Sequence, residues 1–126
     1  MIQRLITNIC SDRLPESRDF YVTLLGFEVT FDSDWYVQVA APENPRLELG
    51  FIQRDHALVP AAFQQPPQGV YLTVVMDDVD AVYAQAQATG VEIVQPPKDE
   101  FYGQRRMLMV DPNGLLVDVS ATTQSS

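Results

Sequence analysis

Apolar and polar positions alternate in a way that divides the chain into two similar halves. Residues 2–9, IQRLITNI, are rich in β-branched and apolar side chains and read as a strand that Ser11-Asp12 closes. A helix follows from Leu14-Pro15, because proline suits a first helical turn and Leu14, Phe20 or Tyr21, Leu24 and Leu25 recur at helical spacing. Gly26 stands where a left-handed cap would end it. Residues 27–31, 35–40 and 46–52 then read as three strands, separated by the polar turn Asp32-Ser33-Asp34 and by Pro42-Glu43-Asn44-Pro45.

Residues 53–69, QRDHALVPAAFQQPPQG, hold three prolines and no period, which predicts a linker or surface loop. After it the plan repeats. Residues 70–76 read as a strand, Asp78 as an N-cap, and residues 79–89 as a helix with Val79, Val82, Tyr83 and Ala86 on one face and Gly90 as its cap. Residues 91–94, 101–110 and 115–120 read as strands, with Pro96-Pro97 breaking the first from the second. Asp111-Pro112-Asn113-Gly114 has proline and glycine at type I turn positions, so the last two strands form a hairpin. Residues 121–126 read as a disordered tail.

Both halves thus run strand, helix, three strands, and Gly26-Phe27-Glu28-Val29 and Gly90-Val91-Glu92-Ile93 occupy the same point in each. The predicted fold class is α+β: two βαβββ modules, residues 1–52 and 70–120, forming one domain. A curved mixed sheet would carry the helices on one side and a cleft on the other. In the last strand Leu115, Val117 and Val119 share one face, while Asp118 stands mid-strand on the other with Leu116 and Ser120. Arg105 and Arg106 must point to opposite faces, and Arg106 shares that of Leu108 and Val110. An arginine there would either bind a ligand carboxylate or phosphate or neutralise Asp118.

Composition narrows the partners. A chain of 126 residues, 46% of them apolar, suits one domain with a real core. Its formal net charge of -9 argues against nucleic acid, which needs clustered Lys and Arg, and would favour cationic small molecules. Cys10 is the only cysteine and His56 the only histidine, which excludes an intramolecular disulfide and a multi-cysteine zinc site. Cys10 reads as a packed small hydrophobe and His56 as a solvated loop residue. The N-terminus lacks the features of a signal peptide and no run is long enough to span a membrane, so a cytoplasmic location is expected.

The order and spacing of Ser17-Arg18-Asp19-Phe20-Tyr21, Leu24-Leu25-Gly26-Phe27, Asp77-Asp78-Val79-Asp80, Tyr102-Gly103-Gln104-Arg105 and Asp111-Pro112-Asn113-Gly114 resemble the vicinal oxygen chelate superfamily. That superfamily includes glyoxalase, the bleomycin resistance proteins and the extradiol dioxygenases. The resemblance implies metal-ligand positions on the first and fourth strand of each module. The fourth-strand positions fall on Glu48 and Asp118. The first-strand positions fall on Tyr71 and on Arg4, Leu5 or Ile6, none of which is histidine. No cofactor is therefore expected, and any divalent metal would have to rest on Glu48 and Asp118.

In size, acidity and missing histidines the chain is closest to the bleomycin-resistance-like branch. That likeness implies a homodimer whose cleft sequesters a small, flat, cationic molecule. Trp35, Tyr36, Tyr71, Phe101 and Tyr102 would line it, with Glu48, Asp118 and Arg106 as its charged groups. The alternative is a glyoxalase-type lyase or isomerase in which Glu48 and Asp118 move protons, with or without a divalent metal.

Overall fold

Two glycines in the left-handed region end the two helices, and each marks the point where its module turns back into a sheet. The computed structural model describes residues 1–123. Strand β1 (Leu5–Ser11) leads to helix α1 (Leu14–Leu25), and β2 (Glu28–Asp32), β3 (Tyr36–Ala41) and β4 (Asn44–Gln53) follow. The second module repeats the order with β5 (Tyr71–Val75), α2 (Val79–Ala88), β6 (Ile93–Asp99), β7 (Gln104–Val110) and β8 (Leu116–Thr122). Gly26 closes α1 at φ 75°, and Gly90 follows α2 at φ 76°. Only glycine takes that conformation without strain. Asp78 caps α2 as expected, its side chain accepting from Ala81 N at 3.1 Å.

The α+β fold of two βαβββ modules is thus present as two four-stranded mixed sheets, ordered β1-β4-β3-β2 and β5-β8-β7-β6. In each, the first strand runs parallel to the fourth and the other pairings are antiparallel. The chain divides into two compact units, Met1–Pro67 and the part from Gln68 onward. In the first unit Tyr21 of α1 is fully buried, its ring 4.9 Å from Phe20, 5.1 Å from Phe51 and 6.0 Å from Phe27. Ile9, Val37, Val39 and Leu49 complete that core. In the second unit Val79, Val82 and Ala86 of α2 are buried, as are Met107, Met109, Val117 and Val119 of the sheet. Arg105 ties the helix down from the same side, its Nε and Nη2 donating to both Asp80 oxygens at 2.9 and 3.0 Å.

Several boundaries differ from the sequence reading. Strand β1 begins at Leu5 rather than Ile2. Pro96 and Pro97 do not end a strand; they lie inside β6, at a register shift between Gln95 and Lys98. β6 is an edge strand, where a missing N–H leaves no ladder bond unmade. Phe101 and Tyr102 sit in the turn before β7 rather than in the strand. Strand β8 runs on to Thr122, so Ala121 and Thr122 pair with β7 instead of belonging to a disordered tail. Residues 124–126 of that expected tail lie outside the described residues.

The stretch 53–69 is a strap on the first unit rather than a free linker. It contains a short 3-10 turn, Ala61–Phe63, and Arg54 donates to Asp12 Oδ2 at 2.9 Å and to the carbonyl of Gln64 at 3.3 Å. His56 is half-buried, its ring stacked 4.4 Å from that of Trp35, and its Nδ1 accepts from Leu58 N at 3.1 Å. It is therefore a packed residue and not a solvated one. Cys10 is also half-buried, with Sγ donating to the carbonyl of Phe63 at 3.6 Å. No helix among the described residues is long and apolar enough to cross a membrane.

The DPNG hairpin is held by its own carboxylate. Asp111 is buried, and its Oδ1 accepts from Asn113 N at 2.8 Å and Leu115 N at 2.9 Å. Removing it strands two main-chain donors, so Asp111→Ala should lower unfolding stability by about 1–3 kcal/mol. Asp111→Asn, which keeps an acceptor, should lose less, and urea denaturation of the three proteins measures the difference.

Candidate functional site

Alternation along the central strands decides which side chains meet on the sheet faces away from the helices. In the first unit β4 pairs with β1 and β3, placing Glu48 level with Ile6 and Ala40, and Gly50 level with Asn8 and Gln38. Phe51 and Leu49, one residue out of phase, go under α1. In the second unit β8 pairs with β5 and β7, placing Asp118 level with Thr73 and Leu108, and Ser120 level with Arg106.

Each carboxylate is answered by an arginine of its own unit. Glu48 is 8% exposed, and Arg4 grips it bidentately, Nε to Oε2 at 2.9 Å and Nη2 to Oε1. That hydrogen bond holds the Glu48 carboxyl below its ordinary range despite the opposing effect of burial. Asp118 is 5% exposed and takes hydrogen bonds from Ser120 Oγ at 2.8 Å and Thr73 Oγ1 at 3.0 Å. Arg106 Nε lies 3.4 Å from Asp118 Oδ1 without a hydrogen bond, while its Nη1 donates to Tyr102 Oη at 3.4 Å. Glu100 Oε2 is 3.7 Å from the same guanidinium. Desolvation works against the Arg106 charge, yet Tyr102, Asp118 and Glu100 together raise its pKa.

The residues singled out from sequence are placed as follows. Arg106 does share the face of Asp118, as alternation required. Tyr71 is on that face too and 56% exposed, and the β5 residue level with Asp118 is Thr73, two residues further along the strand. Of Arg4, Leu5 and Ile6, it is Ile6 that stands level with Glu48, and Arg4 that pairs with it. Trp35 precedes β3 and packs on His56 instead of pointing from the sheet. Phe101 is 98% exposed at a turn, edge-on to Tyr102 at 5.2 Å.

Tyr36 lies across the first sheet in a way the pattern alone does not reveal. Its hydroxyl donates to Asn8 Oδ1 at 2.7 Å, passing over Gly50. A Cβ on Gly50 would collide with that hydroxyl and come within 2.7 Å of Tyr36 Cζ. Gln38 Nε2 donates to the same hydroxyl at 3.5 Å, and burial raises the Tyr36 pKa. Asn8, Gln38 and Gly50 were not identified from the sequence. The available signal was parity, since Asn8 follows Ile6 by two and Gly50 follows Glu48 by two.

These residues do not fit a metal ion. In the first unit Glu48 is engaged by Arg4 and its neighbour on β1 is the aliphatic Ile6. In the second the carboxylate accepts from Thr73 and Ser120 and faces the Arg106 guanidinium, a cation where a metal ion would have to sit. Within neither unit do three His, Cys, Asp or Glu side chains converge among the described residues.

A repeated βαβββ module with a mid-strand carboxylate on the helix-free face defines a class of paired-module proteins. The chain belongs to the Glyoxalase/Bleomycin resistance protein/Dioxygenase superfamily, whose family model matches residues 4–119. A superfamily member from Sphaerobacter thermophilus is similar at 23% identity and a TM-score of 0.77, covering 96% of this chain and 98% of its own. TnmS3, an antibiotic binding protein from a Streptomyces species, is similar at 23% identity and a TM-score of 0.74, covering 97% of both chains. A lactoylglutathione lyase from Agrobacterium tumefaciens is similar at 18% identity and a TM-score of 0.71, covering 96% of this chain and 94% of its own. No curated protein matches the sequence. At these identities the solved structures establish the fold.

The Arg4–Glu48 pair carries a pH signature. Because the folded pKa of Glu48 lies below its ordinary value of 4.5, its contribution is present above that pH and is lost as pH falls through the folded pKa. The stability gap between the wild type and Glu48→Gln should therefore be full at neutral pH and narrow on acidification below 4.5, read as urea midpoints across the range.

Proposed function

We propose that the chain is a small-molecule-binding protein that sequesters its ligand on a helix-free sheet face without a metal ion. The observation that carries this reading is the commitment of both carboxylates. Glu48 is gripped bidentately by Arg4, and Asp118 accepts from Thr73 and Ser120 beside Arg106, so every carboxylate oxygen already carries a hydrogen bond and each charge faces a guanidinium. In the first unit the exposed ring of Phe31 and the half-buried ring of Tyr36, 6.2 Å apart, supply flat apolar area beside a hydroxyl, which suits small aromatic ligands. The antibiotic binding protein among the structural relatives is consistent with this use of the fold.

Two parts of the sequence expectation change in emphasis. A preference for cations loses support, because each carboxylate charge is offset locally by a guanidinium. The lyase or isomerase alternative also has less support, since a general base needs a carboxylate free to accept a proton. The homodimer implied by the family remains part of the reading. Edge strands β1 and β5 expose Leu5, Tyr71 and Val75, and a mass twice that of the monomer by light scattering is the expected result.

The binding reading is tested with three flat tricyclic probes: proflavine, a cation, and the neutral acridone and carbazole. Saturable quenching of Trp35, the only tryptophan, by at least one probe is expected, and dialysis against EDTA should leave it unchanged. Absence of binding by all three, or binding that vanishes with EDTA and returns with a divalent metal, would refute it.

A further inference from the structure

A directional pair of hydrogen bonds runs across the first sheet from β3 to β1. Thr30 Oγ1 of β2 lies 3.2 Å from the Gln38 carbonyl and 3.3 Å from Gln38 Oε1, the two acceptors open to its proton. Gln38 Nε2 of β3 donates to Tyr36 Oη at 3.5 Å, and Tyr36 Oη donates to Asn8 Oδ1 of β1 at 2.7 Å. The Tyr36 hydroxyl thus accepts from Gln38 and donates to Asn8. The pair ends at the Asn8 carboxamide, whose oxygen is taken and whose Nδ2 has no hydrogen-bond partner among the described residues. Asn8 is exposed, so those two N–H groups are presented to solvent on the helix-free face.

Gly50 makes this possible. It stands level with both Asn8 and Gln38, and the space a side chain would fill is where the Tyr36 hydroxyl passes. Trp35 and Phe31 lie 5.6 and 6.2 Å from the Tyr36 ring, giving an aromatic row beside the amide. Glu48, two residues along β4 from Gly50, is paired with Arg4.

We propose that Asn8 is a ligand-contacting hydrogen-bond donor, positioned by Tyr36 through the gap at Gly50, and that it selects flat, uncharged molecules bearing a carbonyl oxygen. This rests on the binding reading above and adds the ligand class. With its oxygen held by the Tyr36 hydroxyl, the amide turns its NH2 group outward, and a donor without a countercharge matches a neutral acceptor better than an ion.

Titration of the full chain with acridone, which has a carbonyl, and carbazole, which lacks one, tests it. The wild type should bind acridone about tenfold more tightly, and Asn8→Asp should abolish that preference while changing carbazole affinity by less than about twofold. Tyr36→Phe and Gly50→Ala should each reduce the preference, because both release the orientation of Asn8. Asn8→Leu serves as a second variant should Asn8→Asp fail to fold by its melting profile. Equal wild-type affinities, binding of proflavine alone, or a preference that survives at Asn8→Asp and Asn8→Leu would overturn the role of Asn8 while leaving the binding reading intact. Binding of none of the three would remove both.

Discussion

Two carboxylates are fixed in central strands, and the cost of desolvating them shapes the rest of the site. Glu48 and Asp118 sit in β4 and β8, each paired on both sides, so neither backbone can swing its side chain out to water. An isolated buried carboxylate is strongly unfavourable, and it must be ion-paired, hydrogen-bonded or protonated. The two modules solve this differently. The first brings Arg4 from just before β1 for a bidentate grip at the sheet's end. The second surrounds Asp118 with two hydroxyls from its own face and a guanidinium set slightly back.

That solution also bears on chemistry. Metal ligation and proton transfer both need oxygen lone pairs that are free or only weakly engaged. Once arginines and hydroxyls occupy them, what the faces retain is aromatic area and neutral polar groups. The row formed by Asn8, Gly50 and Gln38, with Tyr36 laid across it, is built from such groups. A superfamily scaffold with a carboxylate in each module thus carries, in this chain, arginine-paired carboxylates beside neutral polar groups, and fold and chemistry are separable.

Much of the fold was legible because local signals agreed with each other. The left-handed glycines at 26 and 90, the Asp78 cap and the DPNG turn are short-range features whose geometry depends on residues a few positions apart. Misreadings occurred where distant residues intervened. Pro96 and Pro97 looked like a break, yet an edge position with a register shift tolerates them inside β6. The stretch 53–69 looked like a free linker, yet the Arg54–Asp12 contact and the stacking of His56 on Trp35 bind it to the first unit. Thr122 looked like tail until pairing with Gln104 extended β8.

Period-two alternation by itself determined which residues share a face, and so placed Arg106 with Asp118 and separated Glu48 from Leu49, because successive strand side chains must point oppositely. It could not decide register between strands. Only pairing in three dimensions set Ile6 rather than Arg4 level with Glu48, Thr73 rather than Tyr71 level with Asp118, and Asn8 level with Gly50. A slip of two residues preserves every face and every apolar pattern while changing each cross-strand partner, so the sequence pattern is blind to it. The partners of the two carboxylates, and the space at Gly50 that Tyr36 fills, were therefore decided by the tertiary structure.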